Sequence, residues 1–296
     1  WRARAGLVVG VGARGPTVDG LGRAGRGGPP RATGEMLVAR PRAASDPESL
    51  GTQDYVIVAV KGHSLPEVAT GIAPLLGTGT SIVTAMNGVP WWFFDRLKFG
   101  QGQLRLASLD RGGVLSRAMP TERIVGCVVH LAASTPEPGL ISHNMGTKLI
   151  LGEPGGTNGA RTRGIADALA GAGFEVVRSG FIEKDFWVKL LGNVSFNPVS
   201  ALTLATADRL IDDAYVKAYM VAIMREVLAI GRAVGGGAPP TTIRTRPCPV
   251  GPASAADARI VLTTAGAPPM IVTPWPPTRV RISWPSTLRR MMWRPP

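Results

Sequence analysis

The chain has 296 residues, enough for two modest domains with cores of their own, and its two cysteines, Cys127 and Cys248, exclude a disulfide scaffold and a cysteine-built metal site. No stretch reaches the length of a membrane span and no leader-like segment is visible, so a cytoplasmic protein without a membrane partner is expected. The net charge of +13 invites a nucleic-acid reading, but it sits at the ends: residues 1–34 carry six Arg against Asp19, residues 239–296 eight Arg against Asp257, and the 204 residues between hold 19 basic and 18 acidic groups.

Near the start, LVVGVGARG places Gly10, Gly12 and Gly15 in a G-x-G-x-x-G pattern after a short apolar run. In a Rossmann unit such glycines let the backbone turn tightly and approach a pyrophosphate. The helix and second strand that should follow are missing from PTVDGLGRAGRGGPPRATG, and with ten glycines in 34 residues a chance match stays open. Neither end of the chain contains Lys, and the second holds 13 of the 26 prolines, a density that blocks helix interiors and central strands. Residues 1–34 and 239–296 are read as degenerate: either shifted-frame translations of a GC-rich gene or disordered basic arms.

From Asp54 the pattern becomes regular. YVIVAV is a continuous β-branched run, as expected of a parallel strand covered on both faces, and Lys61 stands at its carboxyl end. Leu65, Val68, Ile72 and Leu75 predict a helix over 64–76, and SIVTAM a second buried strand that ends at Asn87-Gly88. Open α/β sheets bind ligands at the carboxyl ends of their strands, although a Lys there can be an ordinary loop residue and Asn-Gly a plain tight turn. The aromatic run 91–94 suits a site mouth or a core, and 98–120 reads as loop and short helix. RIVGCVVHLAA, GLISHN and TKLILGE predict three strands with a turn at 136–139, in which His130 and His143 are expected to be satisfied structural histidines. A helix (ARTRGIADALAGAG) and a strand (FEVVRS) follow.

The segment 181–203 then puts Lys189, Asn193 and Asn197 at i, i+4 and i+8, one face of a helix whose other side carries Phe186, Trp187, Leu190, Leu191 and Val194. Such a row is either a solvated stripe or a substrate cradle. Ser179 is the expected N-cap, with Glu183 and Asp185 placed for the helix dipole, and Pro198 predicts a kink just after Asn197. Thr206 is expected to cap the next long helix, with Val216, Met220, Ile223, Val227 and Ile230 facing inward and Gly235 to stop it.

WVKLLGNVSFNPVSALT, DYVIVAVKGHSLPEV and IVTAMNGVPWWFF closely resemble the ketopantoate reductase (2-dehydropantoate 2-reductase) family, over about residues 37 to 235. The resemblance implies an α/β protein: a Rossmann-like parallel sheet domain over 1–179, then an all-helical substrate and dimerisation domain over 180–296. It implies NADP(H) as cofactor, a small 2-oxo acid as substrate, a homodimer, and neither a metal nor a specific nucleic-acid partner. In it Lys189 is the proton donor, Asn193 and Asn197 bind the substrate, Lys61 and Asn87 contact the nicotinamide end of the cofactor and the substrate, and Ala132 lies where the backbone approaches the cofactor. Arg40 and Arg42 are the candidates for holding a 2′-phosphate. The family also uses a Ser and a Glu from later helices, whereas this chain has no Glu after Glu226 and Ser254 sits in no recognisable version of the motif. The alternatives are an inactive remnant of the family or a nucleic-acid-binding protein driven by its basic tails.

Overall fold

The structure, a computed structural model, describes residues 8–11, 38–39, 46–97, 104–137, 140–156, 159–234, 241–245, 260–264, 270–271 and 278–282. Its strands are β1 (Val8–Val11), β2 (Val38–Ala39), β3 (Gln53–Val58), β4 (Leu76–Ala85), β5 (Ile124–Glu137), β6 (Leu140–Gly152), β7 (Glu175–Arg178), β8 (Thr241–Thr245), β9 (Ile260–Thr264), β10 (Met270–Ile271) and β11 (Thr278–Ile282). The helices are α1 (Leu65–Gly71), α2 (Val114–Ala118), α3 (Ala160–Gly171), α4 (Ile182–Thr203), α5 (Ala207–Asp212) and α6 (Ala214–Ala233).

An eight-stranded sheet runs β1-β3-β4-β5-β6-β11-β2, with β7 beside the last part of β6. Strands β3, β4 and β5 are parallel neighbours. Alternation along β3 sends Val56 and Val58 into one core and Tyr55 and Ile57 against the other, so both faces of the sheet are covered. The first core collects α1, the aromatic run and the start of α4; the second packs Val125, Cys127, Leu149 and Leu151 against Ile165 and Ala166 of α3. Burial pushes the Cys127 thiol up to about 12, which makes it an inert core residue rather than a nucleophile. Trp91, Trp92, Phe93 and Phe94 are all buried, so the run 91–94 is core and not a site mouth.

Several local expectations are corrected. Helix α1 stops at Gly71 and a 3-10 turn takes over, because Pro74 lacks the amide that a continued helix needs. GLISHN and TKLILGE form one strand, β6, paired with a β5 that runs on through Pro136. Ser179 is not the residue at the start of α4: Phe181 is, and the Ser179 hydroxyl accepts from the Phe181 amide while donating to the Asp185 carboxylate. Pro198 lies inside α4, which continues unbroken to Thr203. Thr206 precedes only the short α5, and the long α6 is capped by Asp213, whose carboxylate accepts the amides of Tyr215 and Val216 at 2.9 Å. Gly235 lies outside the described residues.

Helices α4, α5 and α6 share a third core built on Leu191, Phe196, Leu210, Met220, Met224 and Leu228. Beyond them, where the proline density was expected to block both helices and central strands, the described residues form strands: β8, β9 and β10 make an antiparallel sheet, and β11 pairs with β6 and β2. β-branched residues recur in these segments (TTIRT, IVLTT, TRVRI), and that local preference outweighs the proline-rich surroundings.

Candidate active site

Where α4 crosses β5, the sheet has no side chain. A Cβ at Gly126 would stand 2.8 Å from Trp92 and 3.0 Å from Ile182, so glycine here lets both pack down on the strand. Trp92 meets Phe186 edge-on at 5.4 Å, and Phe93 lies 5.6 Å from Trp187. These contacts fix α4 alongside β5, and two turns beyond Ile182 the helix presents Lys189.

On β5, Val128 faces the core that contains Ile182 and Phe186, and with a two-residue period His130 continues that face. Lys148 is the cross-strand partner of His130 on β6. The half-buried imidazole of His130 is pulled down to about 4 by burial, then by Lys189, then by Lys148, so it is neutral at physiological pH. Burial also lowers Lys189 from the ordinary lysine value of 10.5, and among the described residues its ammonium has no hydrogen-bond or ion-pair partner. An ammonium held in a half-buried place without a counter-ion is costly, and the cost falls when an anion arrives.

Asn87 follows β4, whose last paired residue, Ala85, faces Cys127 of β5. Its side-chain amide donates to the Val129 carbonyl at 3.3 Å and accepts the Val129 amide at 3.2 Å. The carboxamide thus stands in for the next backbone pair of the ladder and ties the carboxyl end of β4 to β5, one residue before His130. At His130 and Ala132 the β5–β6 register slips. The slip is accommodated by Gly146, at φ +71°, where a Cβ would lie 2.3 Å from the His130 carbonyl.

The structure therefore brings Lys189, His130, Lys148 and the Asn87 latch to the stretch of β5 just past the carboxyl end of β4. Asn193 is half-buried one turn further along α4, and Asn197, expected to turn into the cleft, is exposed. Lys61 is exposed on the turn after β3, two strands from β5. Ala132 is half-buried at the bulge, opposite Met145. His143 bonds the Gly146 carbonyl, as expected of a structural histidine. His130 does not fit that expectation: among the described residues its imidazole makes no hydrogen bond. Counting two residues at a time from Gly126 places it on the face of α4, a signal the sequence carried.

A nicotinamide dinucleotide fits this edge in part. Lys61 and Asn87 stand just past the carboxyl ends of the parallel strands β3 and β4, with the small Ala132 on β5 beyond its parallel part, an edge suited to the nicotinamide end. Gly10 does not fit as part of a phosphate turn, because it lies inside β1, paired with Val56 in an antiparallel ladder, where a Rossmann first strand is parallel. Gly12, Gly15, Arg40, Arg42 and Ser254 lie outside the described residues.

A separate cavity of about 330 Å³ at the other end of β5 is lined by Arg96, Glu122, Glu153 and Arg161. Its charges answer each other, Arg161 to Glu153 at 2.6 Å and Arg96 to Glu122 at 2.9 Å. Among the described residues no cluster of His, Cys, Asp and Glu could hold a metal, and no helix is long and apolar enough to cross a membrane.

The model for ketopantoate reductase PanE/ApbA matches residues 4–156, and that for its C-terminal part matches 182–267, beyond both limits of the resemblance read from sequence. A 2-dehydropantoate 2-reductase of Mesorhizobium japonicum is 42% identical over 202 residues, which are 68% of this chain and 62% of that protein. One of Halobacterium salinarum is 29% identical over 170 residues, 57% of this chain and 49% of the relative. The chain thus matches less than two thirds of the length of these relatives. Among solved structures, a chain from Ralstonia solanacearum assigned to the ketopantoate reductases is 46% identical with a TM-score of 0.64, covering 76% of this chain and 69% of its own. The 2-dehydropantoate 2-reductase of Geobacter metallireducens is 25% identical with a TM-score of 0.54, covering 66% and 61%.

Proposed function

Because this chain belongs to the ketopantoate reductase family, we propose that it reduces the C2 carbonyl of 2-dehydropantoate, or of a closely related small 2-oxo acid, to the 2-hydroxy acid with NADP(H). The observation that carries this reading is Lys189, a half-buried ammonium of lowered pKa at the carboxyl edge of the sheet, without a counter-ion among the described residues. When bound, the nicotinamide supplies the hydride. The remaining tasks fall to side chains of this chain. Negative charge grows on the carbonyl oxygen as the carbon is reduced, and Lys189 both stabilises it and donates the proton. Asn193 and Asn197 orient the substrate from the same helix face. Lys61 and Ala132 border the nicotinamide end, and Asn87, held on Val129, keeps a second amide hydrogen for cofactor or substrate.

In this reading the division into a cofactor-binding part up to 179 and a substrate-binding part from 180 follows the family. Leu202, Leu204, Tyr215 and Tyr219, all well exposed around the ends of α4 and α6, support a homodimer through the helices. The test is NADPH oxidation with ketopantoate. Lys189→Ala should lower turnover by about 100-fold or more; unchanged turnover removes Lys189 from the chemistry, and a native protein that binds no NADPH identifies an inactive member of the family.

A further inference from the structure

We infer that His130 is a substrate-binding residue, whose imidazole donates a hydrogen bond to the carboxylate of the bound 2-oxo acid from the sheet side of the site, opposite Lys189. The inference rests on the reductase reading above for the identity of the acid, and on this structure for the residue.

Four observations converge on His130. It lies on the face of β5 that α4 covers, one residue past the Asn87 latch, at the carboxyl edge of the parallel strands. It sits at a register slip that only Gly146 permits, and bulges of this kind re-aim side chains beside active sites. Its imidazole makes no hydrogen bond to another described residue, although a half-buried imidazole ordinarily finds one. And it is flanked by two ammonium groups, Lys189 on α4 and Lys148 across the ladder.

The groups around it define what it can hold. Lys148 is only loosely paired, 3.6 Å from Glu175, and Asp185 on α4 is tied to Ser179. With Lys189 reaching the reacting carbonyl oxygen, the adjoining carboxylate of a 2-oxo acid falls beside that oxygen, one bond further along the molecule. A positive neighbourhood attracts that carboxylate, while the neutral ring adds a directional N–H without a third buried charge. A surface histidine satisfied by solvent would need neither the bulge nor the two lysines.

The test compares the full-length protein with His130→Ala and His130→Gln, using ketopantoate and its neutral amide as paired ligands, with thermal melts to verify folding. For reduction, His130→Ala should raise KM for the acid about 10-fold or more with a much smaller change in kcat, and should shrink the preference for acid over amide. His130→Gln, which keeps a donor, should recover part of the loss. Equal effects on acid and amide, or an unchanged KM, overturn the inference while leaving the reductase reading intact. If the native protein does not reduce ketopantoate, calorimetric binding of the acid decides: binding that His130→Ala abolishes supports the contact although the reductase reading fails, and no binding to the native protein overturns both.

Discussion

Glu183 shows how far a single side chain can depart from its apparent task. Its position in the first turn of α4 reads as a dipole partner for the helix, yet it is fully buried, with one carboxylate oxygen accepting the Gly155 amide at 2.8 Å and the other without a partner among the described residues. Burial, the largest cause, raises its pKa above the ordinary 4.5. A carboxyl group whose folded pKa is raised binds its proton more tightly in the native state, so stability is lost as pH rises from 4.5 through the folded value. Glu183→Gln should therefore flatten the fall in melting temperature between mildly acidic and mildly alkaline buffer, because the amide has no proton to lose. Asp185, also raised by burial, keeps some of the slope. A variant with the native slope would show that Glu183 is solvated. Lys189 has the same origin and the opposite sign, and its cost to the fold is what readies it for an anion.

Helix α4 was legible as the central element because its polar row and its apolar side have the period of a helix. Its partner across the core was not. Trp187 lies over Gly231 of α6, where a Cβ would be 2.1 Å from the indole nitrogen, and that nitrogen donates to the Val227 carbonyl at 3.1 Å. Alanine is the better helix former by about 1 kcal/mol, but Trp187 is wedged against Phe93 and cannot give way. Overpacking should win, and Gly231→Ala should destabilise the protein by about 2 kcal/mol net, measured by urea denaturation. A gain in stability would mean that the two helices are loosely seated. Helix α4 also continues through Pro198, a residue that locally disfavours a helix interior, where Phe196 and Val199 on either side are packed into the helical core.

Across the molecule, α4 joins what sequence divided at 179. Ile182, Phe186 and Trp187 belong to the sheet's core, while Leu191, Phe196 and Val199 belong to the helical one. Neither core closes without that helix, so unfolding of the sheet must expose the helices. Tryptophan fluorescence and far-UV circular dichroism should follow one coincident transition in denaturant. Two separated transitions would show that the parts are stable alone.

Sequence by itself determined the strands around 54–86, the helix with Lys189, Asn193 and Asn197 on one face, and the kinship from which their proposed roles follow, because periodicity and motif are local properties of a chain. Tertiary structure decided the rest. Asn87 is a ladder-extending latch, His130 lies on the face of β5 that α4 covers, the aromatic run 91–94 is core, and β1 lies antiparallel to β3. Each of these depends on which segments meet, as α4 comes down on Gly126 or β6 slips past β5 at Gly146, and no pattern within one segment encodes the surface of another.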